Sequence, residues 1–203
     1  MNRTPTALIV EDDDTLADLL AGLLARAGHT CARAVDRDGA LSLLRQHDGI
    51  ALVLLDLGLP PYPNEIREGI TLLERLIAER PHLKVLVLTG QDQDAAAFAA
   101  IRAGAFDFLA KPAQAAQILA AVRRATLFLA HERALREAGE SRITIAARLD
   151  EGLREAGEAA EERLLRQVLA DTGFNVAETA RRLGLPRENL YYFLKKYGIQ
   201  RNA

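Results

Sequence analysis

Short apolar runs alternate with helical patterns through the first 125 residues of this chain, and this alternation limits the possible folds more than any other feature. Each helical pattern repeats apolar positions at i, i+3 and i+4. Short, wholly apolar strands are typical of parallel sheets that are buried on both faces. Five strand–helix units in succession predict an α/β fold with a doubly wound, five-stranded parallel sheet. The predicted strands are Ala7–Val10, Thr30–Ala34, Leu52–Leu55, Val85–Leu88 and Asp107–Leu109.

The helical patterns between these strands are all of ordinary length except the last, which starts near Pro112 and keeps its apolar positions as far as Leu135. This helix is longer than a small sheet needs for cover, so we expect its excess to pack on a partner helix or on a second domain. The predicted helices are Thr15–Ala27, Gly39–His47, Gly69–Arg80, Asp94–Ala103 and the segment from Pro112 onward.

Polar side chains stand where four of the apolar runs end. Asp12, Asp56 and Thr89 each follow a predicted strand, and Lys111 follows the fifth. The carboxyl ends of parallel strands meet at one edge of a sheet, which is where α/β folds build their sites. Crowded carboxylates need a cation, and hard oxygen ligands suit Mg²⁺. The pattern therefore predicts a magnesium-dependent site that handles phosphate.

Composition and charge narrow the class of protein. The chain has 203 residues, of which 49% are apolar, so it can bury a core. It contains one cysteine, Cys31, and no apolar run of bilayer-spanning length. Its first apolar stretch is too short for a secretory signal. We expect a cytoplasmic protein that does not enter a membrane.

The last part of the chain is helical and basic. Residues 161–203 carry eight Lys or Arg against five Asp or Glu, a net charge of +3 compared with −5 for the remainder. A basic segment on an acidic protein is a candidate for nucleic-acid binding. Residues 139–160 are interpreted as a connecting segment with one helix. The predicted helices beyond it are Glu161–Ala170, Val176–Leu183 and Arg187–Tyr197, with Asn175 as a candidate N-cap paired with Glu178.

The segments "LIVEDD", "LVLLDLGLP", "VLVLTG" and "GAFDFLAKP" occur in this order. Over residues 5–125 they resemble the receiver domain of response regulators. The resemblance implies a flavodoxin-like fold in which Asp56 takes a phosphoryl group from the phosphohistidine of a sensor histidine kinase. It implies Mg²⁺ ligands at Glu11, Asp12, Asp56 and the carbonyl of Gly58. It also implies that Lys111 and Thr89 bind the phosphoryl oxygens and that Phe108 follows the movement of Thr89.

Simpler interpretations exist for each of these residues taken alone. The four acids at 11–14 suit the N-terminus of the first helix, and Asp14 is expected to act as its cap. Thr89 alone would be an ordinary strand end, and Phe108 alone would be core.

One departure from the receiver pattern is a longer interval between Asp56 and Gly69, thirteen residues here. Residues 61–67 should form an enlarged loop, which either alters access to the site or is inert.

The C-terminal segments "NVAETARRLGL" and "NLYYFLKKYGI" fit a helix-turn-helix by position. Ala180 supplies the small residue where two helices cross, and Gly184 supplies the turn. Over roughly residues 160–200 these segments resemble the Fis-type DNA-binding domain of regulators of the nitrogen-regulation class. The second helix, from Arg187, would then face the major groove.

The predicted DNA contacts divide by chemistry. Arg187 can read a guanine edge and Asn189 an adenine edge. The phosphate contacts are predicted to be Arg181, Arg182, Lys195 and Lys196. Tyr191 and Tyr192 complete the predicted surface, although the family often has a basic residue near Tyr192 and this chain does not.

Together these resemblances imply a two-component response regulator that binds double-stranded DNA as a homodimer, at least when phosphorylated. The predicted domains are a receiver over 5–125, an extended helix and linker over 126–160 and a helix-turn-helix domain over 161–203. No segment matches GxxxxGK[ST], so we expect no central ATPase domain and no enzymatic activity beyond self-dephosphorylation.

Two alternatives remain open. In one, the helical tail only dimerises or docks on another regulator. In the other, the chain is a Mg²⁺-dependent phosphatase of the haloacid dehalogenase type. That class needs a second Asp two residues after the nucleophile, and here the position is Gly58.

Overall fold

The computed structural model describes residues 6–90, 93–144 and 152–200. These residues divide into two compact units. The first comprises the described residues up to 77 and residues 82–131, and the second comprises residues 78–81 and the described residues from 132 onward. Within the described ranges, no helix is both long enough and apolar enough to cross a membrane.

The first unit is the predicted parallel sheet with helices on both faces. Its five strands are all parallel and lie in the order β2-β1-β3-β4-β5, which confirms the doubly wound architecture. The strands are β1 Ala7–Val10, β2 Cys31–Ala34, β3 Leu52–Asp56, β4 Lys84–Thr89 and β5 Asp107–Ala110. The helices are α1 Asp14–Arg26, α2 Arg37–Gln46, α3 Arg67–Glu79, α4 Gln93–Arg102 and α5 Ala115–Glu137.

Alternation along the strands divides the core between the two faces of the sheet. On β1, Leu8 and Val10 join one apolar cluster, while Ala7 and Ile9 join the other. Helices α2, α3 and α4 cover the first cluster, and α1 and α5 cover the second. Because both faces are covered, the three central strands are apolar almost throughout, which is the pattern that the sequence shows.

The two edge strands are less buried than predicted. No residue of β5 is fully buried, and in β2 only Ala34 is. The strand order explains this difference, since β2 and β5 each have a neighbour on one side only. Full burial on both faces therefore belongs to β1, β3 and β4.

The first helix is capped by a different acid from the one expected. Asp13, not Asp14, is the N-cap of α1, and its carboxylate accepts hydrogen bonds from the amides of Thr15 and Leu16 at 2.8 and 3.0 Å. Asp14 is the first helical residue, where its charge still favours the helix dipole. Asp13 takes this role because the first backbone bond of the helix runs from the Ala17 amide to the Asp13 carbonyl, and the residue that supplies this carbonyl is the N-cap.

The second unit contains three helices after the end of α5. They are α6 Leu153–Asp171, α7 Val176–Arg182 and α8 Arg187–Lys196. The prediction that a helix starts at Glu161 was wrong, because α6 begins eight residues earlier and includes Gly157. Residues 145–151 of the predicted linker lie outside the described ranges.

The helix-turn-helix geometry follows from a small apolar cluster and two local signals. Leu165, Leu169, Ala180 and Leu190 bury their side chains together between α6, α7 and α8. Asn175 caps α7 by accepting a hydrogen bond from the Glu178 amide at 3.1 Å, which confirms the predicted N-cap. In the turn between α7 and α8, Gly184 has a φ of +64°, a conformation that favours glycine.

Candidate functional sites

The polar residues at the strand ends lie together at one edge of the sheet. Asp56 closes β3 opposite Leu88, and Thr89 closes β4 opposite Ala110. Glu11 follows β1, and its amide donates to the Ala34 carbonyl. This juxtaposition is a consequence of parallel strands that all end at the same edge.

Lys111 joins two of the carboxylates. Its Nζ lies 2.7 Å from Glu11 Oε2 and 2.7 Å from Asp56 Oδ2. The Glu11 side chain is 3% exposed and that of Asp56 is 12% exposed, so these bonds lie largely out of water. One ammonium therefore neutralises part of the charge of two acids that come from different strands.

The pKa values of Glu11 and Lys111 are both raised, but for different reasons. Burial raises the pKa of the Glu11 carboxyl, and the Asp56 charge adds to the rise, while the hydrogen bond from Lys111 opposes it. For Lys111, burial acts to lower the pKa of the ammonium, but hydrogen bonds to Asp56 and Glu11 outweigh it and raise the pKa. Lys111 therefore stays charged in the site.

Three carboxylates converge on a position suited to a divalent cation. Ligand atoms of Glu11, Asp12 and Asp56 all lie within 4.8 Å of one another. These atoms are all carboxylate oxygens, the donors that Mg²⁺ prefers. The backbone of Gly58 lies beside these carboxylates, because its amide donates a hydrogen bond to Asp56 Oδ1 at 3.2 Å. The chemistry of the donors fits Mg²⁺.

Thr89 ends β4, and Phe108 lies on β5, the neighbouring strand. Thr89 is fully buried, and its carbonyl accepts a hydrogen bond from the Lys111 amide at 2.9 Å. Phe108 is partly buried and packs against the cluster covered by α2, α3 and α4. The main chain thus ties Thr89 directly to the residue that bears the ammonium.

The recognition surface predicted on α8 is exposed. Tyr191 and Tyr192 are 50% and 64% exposed, and Arg187 and Asn189 lie in the first turn with exposed side chains. The Arg187 guanidinium lies over the Tyr191 ring, 5.9 Å from its centroid. The buried Leu190 fixes the opposite side of the same helix against the domain core.

Three of the four basic residues predicted to contact phosphates already hold acids. Arg181 and Arg182 both bind Glu178, and Lys196 lies 3.1 Å from Glu161 and 3.5 Å from Glu158. Sequence reasoning treated Glu178 only as part of a capping box. Its spacing of three and four residues from the two arginines was the signal that it would pair with them on one helix face.

Comparison with known families gives two matches in this chain. The family described as "Response regulator receiver domain" matches residues 7–123, and the family "Bacterial regulatory protein, Fis family" matches residues 158–197. The first match covers the sheet-edge cluster, and the second covers α7 and α8.

Individual relatives are similar to this chain over different shares of their length. The chain is 31% identical to the photosynthetic apparatus regulatory protein RegA of Rhodovulum sulfidophilum, over 97% of this chain and 94% of RegA. It is 33% identical to the nitrogen assimilation regulatory protein NtrX of Azorhizobium caulinodans, over 64% of this chain but only 28% of NtrX. This chain therefore spans less than a third of the length of NtrX.

Several solved structures resemble most of the chain, and one of them matches it over nearly its whole length. It is a response regulator protein from Burkholderia pseudomallei with a phosphorylated aspartic acid, calcium ion and citrate. The likeness has a TM-score of 0.51 and 29% identity, and it covers 91% of this chain and 95% of that protein.

Proposed function

Because this chain belongs to the response regulator family, with a receiver domain and a Fis-type helix-turn-helix, we propose that phosphorylation of Asp56 controls its binding to double-stranded DNA and thereby transcription. A sensor histidine kinase would supply the phosphoryl group. The contact that carries the proposal is the 2.7 Å hydrogen bond from Lys111 Nζ to Asp56 Oδ2, beside the carboxylates of Glu11 and Asp12. The proposed domains are residues 5–125, 126–160 and 161–203.

The proposed chemistry is transfer of a phosphoryl group to a carboxylate. An oxygen of Asp56 forms a bond to phosphorus while the bond from phosphorus to the imidazole nitrogen of phosphohistidine breaks, and the imidazole keeps the electron pair. Such transfer depends on positioning and charge neutralisation. Lys111 supplies a positive charge already in contact with Asp56. Mg²⁺, held by Glu11, Asp12, Asp56 and the Gly58 carbonyl, would supply the remaining neutralisation.

The switch would use the residues behind the phosphoryl group. A new dianion on Asp56 attracts the Thr89 hydroxyl, since phosphoryl oxygens are strong hydrogen-bond acceptors. Phe108, on the neighbouring strand, would follow Thr89 and change the surface of the receiver. That change would promote a homodimer in which two helix-turn-helix modules bind one site, because joining two weak contacts multiplies affinity.

Two observations support this reading of the site. The Burkholderia pseudomallei relative carries a phosphorylated aspartic acid and a calcium ion. In this chain the carboxylates at the sheet edge are close enough for one divalent cation.

We propose a cytoplasmic protein with no catalytic activity beyond hydrolysis of its own aspartyl phosphate.

The test is capture of genomic DNA fragments by the pure, full-length chain with Mg²⁺, in the presence and absence of beryllofluoride. We expect selective capture that increases with beryllofluoride. The increase should vanish in Asp56→Asn and persist in Asp13→Asn, which removes a charge from the cap of α1 instead. Equal capture in both states would contradict the switch but not DNA binding.

A second candidate is a tail that docks on another regulator or only dimerises. The observation that favours it is the pairing of Arg181, Arg182 and Lys196 with acids, which leaves few cations for phosphates. The double variant Arg187→Ala with Asn189→Ala separates the two. Loss of sequence-selective capture supports direct reading of bases, whereas unchanged behaviour supports docking.

A further inference from the structure

Glu178 holds two arginines on one face of α7. Arg181 binds it through two nitrogens, with Nε 2.8 Å from Oε2 and Nη2 2.6 Å from Oε1. Arg182 Nε lies 2.9 Å from the same Oε1. One carboxylate thus occupies the edge of the Arg181 guanidinium that would otherwise grip a phosphate with two parallel hydrogen bonds.

From this geometry we propose that Glu178 is an intramolecular competitor of DNA phosphate, which holds Arg181 and Arg182 in the free protein and lowers the affinity of the helix-turn-helix for DNA. The inference rests on the proposed function, since it assumes that this module binds DNA. It assigns to Glu178 a role that neither helix capping nor base reading supplies.

The charges around the pair support competition. With Glu178 in place, the cluster of one acid and two arginines carries a net charge of +1 instead of +2. Lys196 is likewise held by Glu158 and Glu161. Lys195 is exposed and forms no ion pair with any residue in the described ranges. Among the four predicted phosphate contacts, Lys195 is thus the one whose charge no described acid offsets.

Around neutral pH the competition does not depend on pH, and it is weak enough for DNA to overcome. Hydrogen bonds from Arg181 and then Arg182 lower the pKa of Glu178 to about 2, so the carboxylate stays charged at neutral pH. The side chains of Arg181 and Arg182 are 73% and 45% exposed. Exposed ion pairs of this kind are only slightly stabilising, so DNA can displace them. The displaced carboxylate then remains close to phosphate and repels it.

The test is the affinity of the full chain, with Mg²⁺ and beryllofluoride, for a fluorescein-labelled duplex of mixed sequence. We expect Glu178→Gln to bind about threefold to tenfold more tightly, as the loss of two exposed ion pairs implies. The salt dependence between about 50 and 200 mM should steepen by up to about one unit per released arginine. Glu155→Gln is the matched control, because it removes the same charge from an exposed position of α6 that forms no ion pair with any described residue.

A second pair of variants separates competition from general charge and from misfolding. Replacing both arginines, Arg181→Gln with Arg182→Gln, should reduce affinity less in the wild-type background than in the Glu178→Gln background. Far-ultraviolet circular dichroism checks that each variant keeps its helices.

Each outcome decides the proposal. Unchanged affinity in Glu178→Gln, or an equal gain in Glu155→Gln, would overturn it. Weaker binding in Glu178→Gln would also overturn it, since Glu178 would then be orienting the arginines for DNA. If neither the wild type nor Glu178→Gln binds any duplex while beryllofluoride still loads the receiver, DNA binding itself fails, and the competition fails with it.

Discussion

Gly69 of α3 lies directly against the backbone of Leu57, the residue that follows Asp56. A Cβ atom at position 69 would lie 2.3 Å from the Leu57 Cα and 2.7 Å from its carbonyl oxygen. No side chain can occupy that space without moving the backbone. The loop expected over 61–67 ends at residue 66, because α3 already begins at Arg67, and the helix returns to the chain immediately after the proposed phosphoacceptor.

Gly69→Ala should therefore destabilise the receiver. The added methyl group would collide with the Leu57 backbone, and such overpacking lowers the free energy of unfolding by about 1–3 kcal/mol. Urea unfolding followed by circular dichroism measures the cost. Phosphorylation by a small phosphodonor should slow as well, because displacement of Leu57 moves Asp56.

The matched control is Gly22→Ala in α1. A Cβ at Gly22 meets nothing within 4 Å, and the residue is exposed inside a helix. Alanine there should stabilise the protein by about 0.5–1 kcal/mol. Equal effects of the two substitutions would contradict the close approach of Gly69 to Leu57.

The acids at the N-terminus of α1 should differ in their effect on metal binding. Asp12 lies with Glu11 and Asp56 in the carboxylate cluster, whereas Asp13 uses its carboxylate to cap the helix. We expect Asp12→Asn to weaken Mg²⁺ binding by roughly tenfold or more, since a charged ligand is lost. Asp13→Asn should leave it nearly unchanged, because Asn also caps helices well.

Calorimetric titration with Mg²⁺ makes that comparison. A stronger loss in Asp13→Asn than in Asp12→Asn would show that the ligand set is shifted by one residue along the chain.

Glu11 should make the stability of the metal-free receiver depend on pH. Burial raises its pKa above the ordinary 4.5. A raised pKa means that the folded protein holds this proton more tightly than the unfolded chain, so stability falls as pH rises from 4.5 through the folded pKa. Glu11→Gln removes this contribution. The unfolding free energy of Glu11→Gln relative to wild type should therefore increase over that window.

The measurement is urea unfolding of both proteins in a chelator at several pH values. Added Mg²⁺ should reverse the trend, because it favours the ionised carboxylate. A difference between the two proteins that does not vary with pH would contradict the assigned shift.

Asn175 should stabilise the helix-turn-helix through its cap. Its side chain accepts a hydrogen bond from the Glu178 amide, which has no partner within α7. Asn175→Ala should cost about 1 kcal/mol, and Asn175→Ser should restore most of it. Thermal unfolding of the C-terminal helices measures both. If serine fails to restore stability, the side chain contributes through something other than the cap.

The sheet-edge residues could be predicted because their positions depend on local patterns. Asp56 and Thr89 stand at the ends of apolar runs, and a parallel topology brings such ends together. The start of α6 could not be predicted in the same way. Gly157 resembles a break in the pattern, but α6 continues through it, since contacts of Leu165 and Leu169 with the other helices stabilise the whole segment.

The sequence itself determined three features: the succession of strands and helices along the chain, the carboxylates at the strand ends and the helix-turn-helix. It could do so because hydrophobic periodicity, caps and turn residues act over a few positions. Tertiary structure alone decided which charges from separate elements meet. Lys111 contacts Glu11 across 100 residues of chain, and Gly69 contacts Leu57 at a distance that no periodicity encodes. Such contacts depend on how separate elements pack, and packing is a property of the whole fold.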